Sequence, residues 1–509
     1  MSVPQKFRAM GDFHEYYSGA RKAPYLTLFV GGNHEASSHL QELYYGGWVA
    51  PDIYYLGAAS VVWFGDLRIA GLSGIWKGFD YNKPHFERLP YSEDEIKSLY
   101  HVREVDVRKL LLLRTPVDVG ISHDWPRGIA WEGDYETLFR QKDQFEAEAR
   151  DGTLGSLAAK YVMDRLRPPY WLAAHLHCKF AAVVDHDKAG LMMPPGQAQF
   201  KETGYAGTNG SKNVNKSDVS FDNKIPVQLA APAKNNDEID LNMSDDEAVI
   251  KPPTDTAPDR TTSTSPDLPA ESSAIPSDLR SQLPAAFTRP QPNSSEKIAP
   301  LPPPPAITNK RTQFLALDKC LPRRDFLQIL DIEPLSRSSS SPPKLKYDKE
   351  WLAILRVFAF HDPHQHNPQN LGEAAYIPLI TKEEEWVEEN LVKQGKMDVP
   401  ENFEITGPVY DGKAIGLVGR EQPREYSNPQ TKAFCEILEI RNWFDEGEEK
   451  REERRKVKAA KNESERMSGE RQRGGWRGDG RGGGRGHDRG RGGGRGGRGR
   501  VRGRGRGYK

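Results

Sequence analysis

The chain has 509 residues, room for two or three domains, and its 72 basic and 72 acidic residues cancel in total but not in distribution. Between Arg471 and Lys509 fall 14 basic residues against 2 acidic ones, which leaves the remainder acidic by 12 charges and marks a nucleic-acid-binding tail on a mildly acidic body. Cys178, Cys320 and Cys435 are odd in number and far apart, Met1–Gly19 has no apolar core of signal-peptide length, and no run of about 18 apolar residues occurs, so a disulfide framework and a membrane span are excluded and a soluble intracellular protein is expected.

Residues 1–190 read as an α/β body. Strands are expected at Tyr25–Val30, Ala59–Phe64, Leu67–Leu72, Val117–Ile121, Tyr170–Ala174 and Phe180–Val184. Three of them end in polar clusters. Tyr25–Val30 stops at Gly31-Gly32 and delivers Asn33, His34 and Glu35; Val117–Ile121 leads to Ser122-His123-Asp124; Tyr170–Ala174 leads to His175-Leu176-His177. Buried strands with polar clusters at their carboxyl ends are how open α/β proteins build sites. Between the first two clusters, Trp76–Arg114 is rich in aromatic and basic residues, among them His85, Tyr100, His101 and Arg103, and suits a substrate-facing excursion. Tyr135–Arg150, with Leu138, Phe139, Phe145 and Ala149 at helical spacing, reads as one amphipathic helix.

From 191 to 310 the composition turns to Pro, Ser, Thr, Asn and Asp, too poor in apolar surface to offset the entropy of ordering, and a disordered linker is expected. Order resumes over 311–445: the stretch FLALDKCLPRRDFLQILDIE reads as compact and amphipathic, Trp351–Phe360 as an apolar helix or strand, and Phe434–Phe444 as a further apolar face. Residues 446–509 comprise a solvated charged helix to Arg466 and then a disordered Arg-Gly-rich tail.

Each polar cluster has a bland reading when taken alone. His175 and His177, at i and i+2 of a strand, share a face and can point at one ion, or they are two surface histidines on an edge. Asn33 offers a hard carbonyl ligand, or it is a turn residue after two glycines. His123 is a ligand, or a capping or core histidine. Jointly the three strand ends point to one metal site scattered along the chain.

GGNHE, SHDWP and AHLH resemble the motifs of the calcineurin-like metallophosphoesterases. GGNHEASSHLQELYYGGWVAPDIYYLG, SGIWKGFDY, YHVREVDVRKL and YWLAAHLHCKFAA resemble more narrowly the RNA lariat debranching enzymes, and FLALDKCLPRRDFLQ and YSNPQTKAFCEILEI resemble their C-terminal domain. The resemblance implies an αββα sandwich with a small C-terminal debranching-enzyme domain. It implies metal-dependent hydrolysis of the 2′–5′ phosphodiester of excised intron lariats, with Mn, Fe or Zn, one or two ions, in the nucleus. Position by position it makes Asn33, His123 and His175 ligands of one metal position and His177 a ligand of the other. His34 becomes the acid that protonates the leaving 2′ oxygen, Glu35 orients it or shapes the pocket, and His85, Tyr100, His101 and Arg103 recognise branchpoint RNA.

The family pattern also includes an earlier [DC]-x-H motif and a strand ending in Gly-Asp whose carboxylate bridges the metals. Neither is found, and Gly11-Asp12 stands out of register with the second. The expectation is therefore an enzyme without its first β-α-β unit, with a central strand left unpaired, or alternatively a catalytically inactive RNA-binding derivative. The Arg-Gly tail adds RNA affinity with little sequence preference, and splicing-associated proteins are the implied protein partners.

Overall fold

The computed structural model describes residues 11–188, 302–336, 342–410 and 422–460. The expected linker up to 301 and the Arg-Gly tail lie outside the described residues. The chain forms one compact unit through Glu446 and a second from Gly447, whose described part is helical over 448–460. No described helix is long and apolar enough to cross a membrane.

Alternation along the strands decides the layering. β4 (Ala59–Phe64) and β5 (Leu67–Leu72) form an antiparallel hairpin with Phe64 opposite Leu67, turned by Gly65 in a left-handed conformation. Val61, Ala70 and Leu72 enter one core and Val62 and Ile69 another, so both faces of the sheet are covered. β6 (Val119–Ser122), β7 (Tyr170–Ala173) and β9 (Arg311–Ala316) continue it in parallel. The crossovers into β6 and β7 carry helices Glu104–Leu111 and Leu157–Leu166, as parallel strands require. β8 (Phe180–Asp185) closes one edge beside β9, and β10 (Leu345–Tyr347) closes the other beside β4. The order is β10-β4-β5-β6-β7-β9-β8.

A second sheet contains β1 (Thr27–Phe29), β3 (Ile53–Tyr55) and β2 (Gly47–Ala50) in the order β1-β3-β2. Trp48 and Tyr54 pack toward Val62, Ile69 and Val119 of the large sheet, while Leu43, Val49 and Tyr55 pack outward with Phe13 and Leu40 of two short helices. Helices thus cover the far face of each sheet, the αββα arrangement expected.

The C-terminal residues are interleaved with this body. β9 lies between β7 and β8, and the helix Lys349–Phe358 packs in the large core. Buried Arg68 of β5 meets the Asp348 carboxylate with two bonds of 2.8 Å, and Asp348 also caps that helix through the Trp351 N–H at 2.8 Å.

Several elements differ from expectation. Tyr25–Val30 is half-buried rather than buried: Tyr25 is exposed, and β1 pairs only with β3 among the described residues. Tyr135–Arg150 is two helices, Tyr135–Gln141 and Asp143–Asp151, broken at Lys142, whose backbone (φ −138°, ψ 79°) is non-helical. One continuous helix would set Phe139 and Phe145 about 120° apart; the break lets both reach the core. After β9 the segment to 336 is irregular; Ile332 packs against the core that holds Trp48 and Val62, while Leu327 and Ile329 are 72% and 87% exposed. β2, β3, β9 and β10 are additional strands.

Candidate active site

The carboxyl ends of β1, β5, β6, β7 and β9 meet at one end of the sandwich. The Gly31 N–H donates to Ser73 Oγ at 2.9 Å and the Gly31 C=O accepts from the Gly74 N–H at 2.8 Å, tying the end of β1 to the end of β5. The His123 C=O accepts from the Ala174 N–H at 3.0 Å, tying β6 to β7. The polar clusters that follow these strands are thereby fixed against one another.

Asn33, His123 and His175 come together. Asn33 Oδ1 lies 3.2 Å from His123 Nε2, and the His123 and His175 rings are 4.9 Å apart between centroids. His175 and His177 are not on a strand, contrary to the expected strand pairing of their side chains. β7 ends at Ala173, and both histidines take left-handed backbone, φ 62° and 54°. Leu176 and Cys178 between and after them are anchored in the core, while the two histidines are only half-buried, so an alternation survives without a strand.

Burial, with the neighbouring histidines His175, His34 and His177, pushes His123 down to about 3. Burial, Lys319 and the other imidazoles bring His177 to about 4. Both are neutral near pH 7, so each imidazole keeps one ring nitrogen with a lone pair. His34 stands exposed at the rim, lowered by partial desolvation, His175 and Lys319. Glu35 is raised by burial, against which the Gly32 N–H at 3.4 Å acts only weakly.

The donor chemistry fits a borderline divalent ion: neutral imidazole nitrogens and one amide oxygen. Among the described residues no group of three His, Cys, Asp or Glu side chains is close enough to hold a metal ion by itself. Asp12 pairs with Arg21 at 2.8 Å on the surface, as suits a residue outside the metal motif.

The excursion Trp76–Arg114 packs beside the Asn33–Glu35 turn around a cavity of about 70 Å³. His85, Tyr100, His101 and Arg103 all line it, opposite Glu35 and Tyr55. His85, His101 and Arg103 are engaged in internal pairs. Arg103 is fully buried, donating to Glu87, to the Asp80 C=O at 2.7 Å and to the Ser98 C=O at 2.9 Å. His101 Nδ1 lies 2.6 Å from Asp80, and His85 Nε2 lies 2.6 Å from Asp106. Burial alone would raise the Asp80 carboxyl, but hydrogen bonds from His101 and Lys83 and the Arg103 charge hold it at about 2. Asp106 is depressed likewise by Lys109, His85 and Tyr44.

Two residues went unrecognised in the sequence. Asp124, buried beside His123, accepts from the Trp76 N–H at 3.2 Å and roots the excursion at the site; it stands inside the SHDWP motif. Lys319, in the loop after β9, acts on both His34 and His177; it stands inside FLALDKCLPRRDFLQ, but nothing in that stretch singles it out from Arg323 and Arg324.

Comparison with known proteins gives the family context. Residues 309–443 match the model of the lariat debranching enzyme C-terminal domain. The chain is 41% identical over 442 residues to the lariat debranching enzyme of Schizosaccharomyces pombe, covering 86% of either protein. It is 36% identical over 448 residues to the human lariat debranching enzyme and 35% over 438 residues to that of Arabidopsis thaliana, with 86% of this chain aligned in both and 60% and 74% of those proteins covered.

Proposed function

This chain belongs to the lariat debranching enzyme family, and from that premise we propose that it hydrolyses the 2′–5′ phosphodiester at the branch point of excised intron RNA. The observation that carries the reading is the convergence of three strand ends, with Asn33 Oδ1 at 3.2 Å from His123 Nε2 and the His175 ring beside it.

Asn33, His123, His175 and His177 would hold the divalent metal, Mn²⁺, Fe²⁺ or Zn²⁺, one ion or two. When bound, it supplies charge for the non-bridging phosphate oxygens and lowers the pKa of water. His34, at the rim, is the proton donor to the departing 2′ oxygen. Its pKa is lowered in the free protein, and an RNA phosphate beside it acts in the opposite direction, favouring the protonated ring. Glu35, raised by burial and fixed at the Gly32 N–H, shapes the turn that presents His34. Tyr100, at the cavity wall, offers a stacking face for an unpaired base, while His85, His101 and Arg103 support the wall through Asp106, Asp80 and Glu87. The Arg-Gly tail adds sequence-tolerant RNA affinity, and the reading places the protein in the nucleus with the splicing machinery.

The test is hydrolysis of a synthetic 2′–5′ branched RNA by the purified full chain with Mn²⁺, Fe²⁺ or Zn²⁺. Linear product that disappears on chelation and returns on re-addition of metal is expected; branched RNA left intact under all three metals refutes the proposal.

A further inference from the structure

The tip of the excursion, residues 82–91, supplies His85 and Glu87 to the cavity lining but contains no helix or strand of its own. A segment without a ladder must satisfy its backbone groups elsewhere. These are met from two sides. From the body, Gln41 Nε2 donates to the Glu87 C=O at 2.7 Å, and the Tyr91 hydroxyl donates to Gln41 Oε1 at 2.5 Å. From the C-terminal region, Asn367 Nδ2 donates to the Asn82 C=O at 3.0 Å. The His85 N–H donates to the Pro363 C=O at 2.8 Å, and the Tyr91 N–H to Gln422 Oε1 at 2.5 Å.

His364 is the centre of the second set. Arg88 Nη1 lies 2.6 Å from His364 Nε2 and can only donate, so the network assigns Nε2 as acceptor and places the ring proton on Nδ1. The Nδ1–H then donates to the His85 C=O at 2.5 Å. The Trp443 C=O, 3.1 Å from Nε2, accepts instead from the same Arg88 Nη1 at 3.2 Å, so the assignment leaves no two acceptors unserved. The ring stands edge-on to Phe444 with centroids 4.8 Å apart, and Phe444 stacks on Tyr44 at 4.1 Å; both Phe444 and Tyr44 line the cavity. Both backbone groups of His85 are therefore held by residues 363 and 364, while its imidazole is bonded to Asp106 at 2.6 Å.

We propose that His364 is a positioning residue, through which the C-terminal region fixes the cavity wall against the Asn33–Glu35 turn. The identity of what the wall receives, branched RNA, rests on the debranching reading. A wall held by supporting hydrogen bonds is ordered before its ligand arrives, and loosening it adds an ordering cost to binding. That cost falls on branched RNA, which engages the wall and the imidazole cluster together, more than on linear RNA.

The experiment compares the full chain with His364→Asn and His364→Gln. The Asn amide nitrogen stands where Nδ1 stands and keeps the donor to the His85 C=O. The Gln amide reaches the place of Nε2 and keeps an acceptor for Arg88, without the donor to His85. In both, Arg88 retains Glu425 at 2.9 Å, so both are expected to fold, and thermal unfolding midpoints check this. The readouts are amide hydrogen exchange over residues 82–91, and fluorescence anisotropy in chelator with a 2′–5′ branched RNA and a linear RNA of the same sequence. His364→Gln is expected to exchange faster over 82–91 and to bind branched RNA about tenfold more weakly, with linear RNA changed by less than about twofold. His364→Asn stays near the original in both readouts. A branched-over-linear preference in His364→Gln within about twofold of the original overturns the assignment. An equal loss in both variants also overturns it, because the bond to His85 would then not be what matters. Faster exchange in His364→Gln, in a protein that originally neither prefers nor cleaves branched RNA, supports the hold on the wall and fails the debranching reading, which is a distinct result.

Discussion

Gly32→Ala tests whether the spacing between the Asn33 turn and His123 is what makes the site. Gly32 is buried and does not use left-handed backbone, so alanine adds no conformational strain. Its methyl group would lie 2.6 Å from both ring nitrogens of His123. Non-bonded contact needs roughly 3.5 Å, so the ring must move by about 1 Å. It cannot simply retreat, because the His175 ring stands 4.9 Å away and the His123 C=O is held by the Ala174 N–H at 3.0 Å. The ring therefore swings away from Asn33 Oδ1 and the 3.2 Å contact is lost. A displacement of about 1 Å in a reacting constellation costs on the order of 10²-fold in rate, whereas overpacking at one turn costs about 1–3 kcal/mol of stability. The assay is single-turnover cleavage of a branched RNA under saturating metal, with urea unfolding in parallel. Gly31→Ala is the control: its methyl group meets the flexible end of Leu40 at 3.0 Å, and a much smaller loss is expected. Cleavage by Gly32→Ala within about threefold of the original rate would refute the argument.

Two predictions concern the scaffold. Asp348→Ala leaves Arg68 buried without its bidentate partner and uncaps the helix Lys349–Phe358, so a loss of about 3–5 kcal/mol is expected in urea unfolding; a loss below about 1 kcal/mol would show that Glu350 alone suffices. Burial lowers His186, which is bonded to Thr312 Oγ1 at 2.8 Å, to about 4 from 6.5. The unfolded chain accepts a proton that the folded one resists, so stability declines as pH falls from about 6.5 to about 4 and levels off below. His186→Gln should show a shallower decline in denaturation midpoints over that range, and an identical decline would exclude His186 as a contributor.

The elements that the sequence made legible are those whose pattern is local. Ala59–Phe64 and Leu67–Leu72 coincide with β4 and β5 because their apolar runs are bounded by the Gly65-Asp66 and Ser73-Gly74 turns. The metal-site candidates were legible as strand ends, and the structure assembles Asn33, His123 and His175 from three of them. What eluded the pattern depends on distant partners. β9 is a strand because β7 and β8 flank it, across an interval of more than a hundred residues, and β10 is one because β4 offers an edge. Periodicity joins Tyr135–Gln141 to Asp143–Asp151 because a window of apolar spacing does not register a single non-helical residue at Lys142. The His175–His177 pair was identified through strand geometry that it does not have; its shared exposure comes from Leu176 and Cys178 being anchored in the core.

The distribution of charge around the site follows from the same distinction. Composition makes Trp76–Arg114 look basic and therefore RNA-facing, yet its charges are largely matched inward: Arg103 to Glu87, His101 to Asp80, His85 and Lys109 to Asp106. Such pairs order a long excursion, and breaking one leaves a buried charge uncompensated, so their loss would damage the cavity wall before it touched RNA. Lys319 comes from a segment that composition marks only as amphipathic, its neighbouring acid is taken by Arg324, and its charge acts to lower the His34 and His177 pKa values. Under the debranching reading an Arg-Gly tail would hold branched and linear RNA alike, and discrimination between them is expected at the imidazole cluster and the cavity wall.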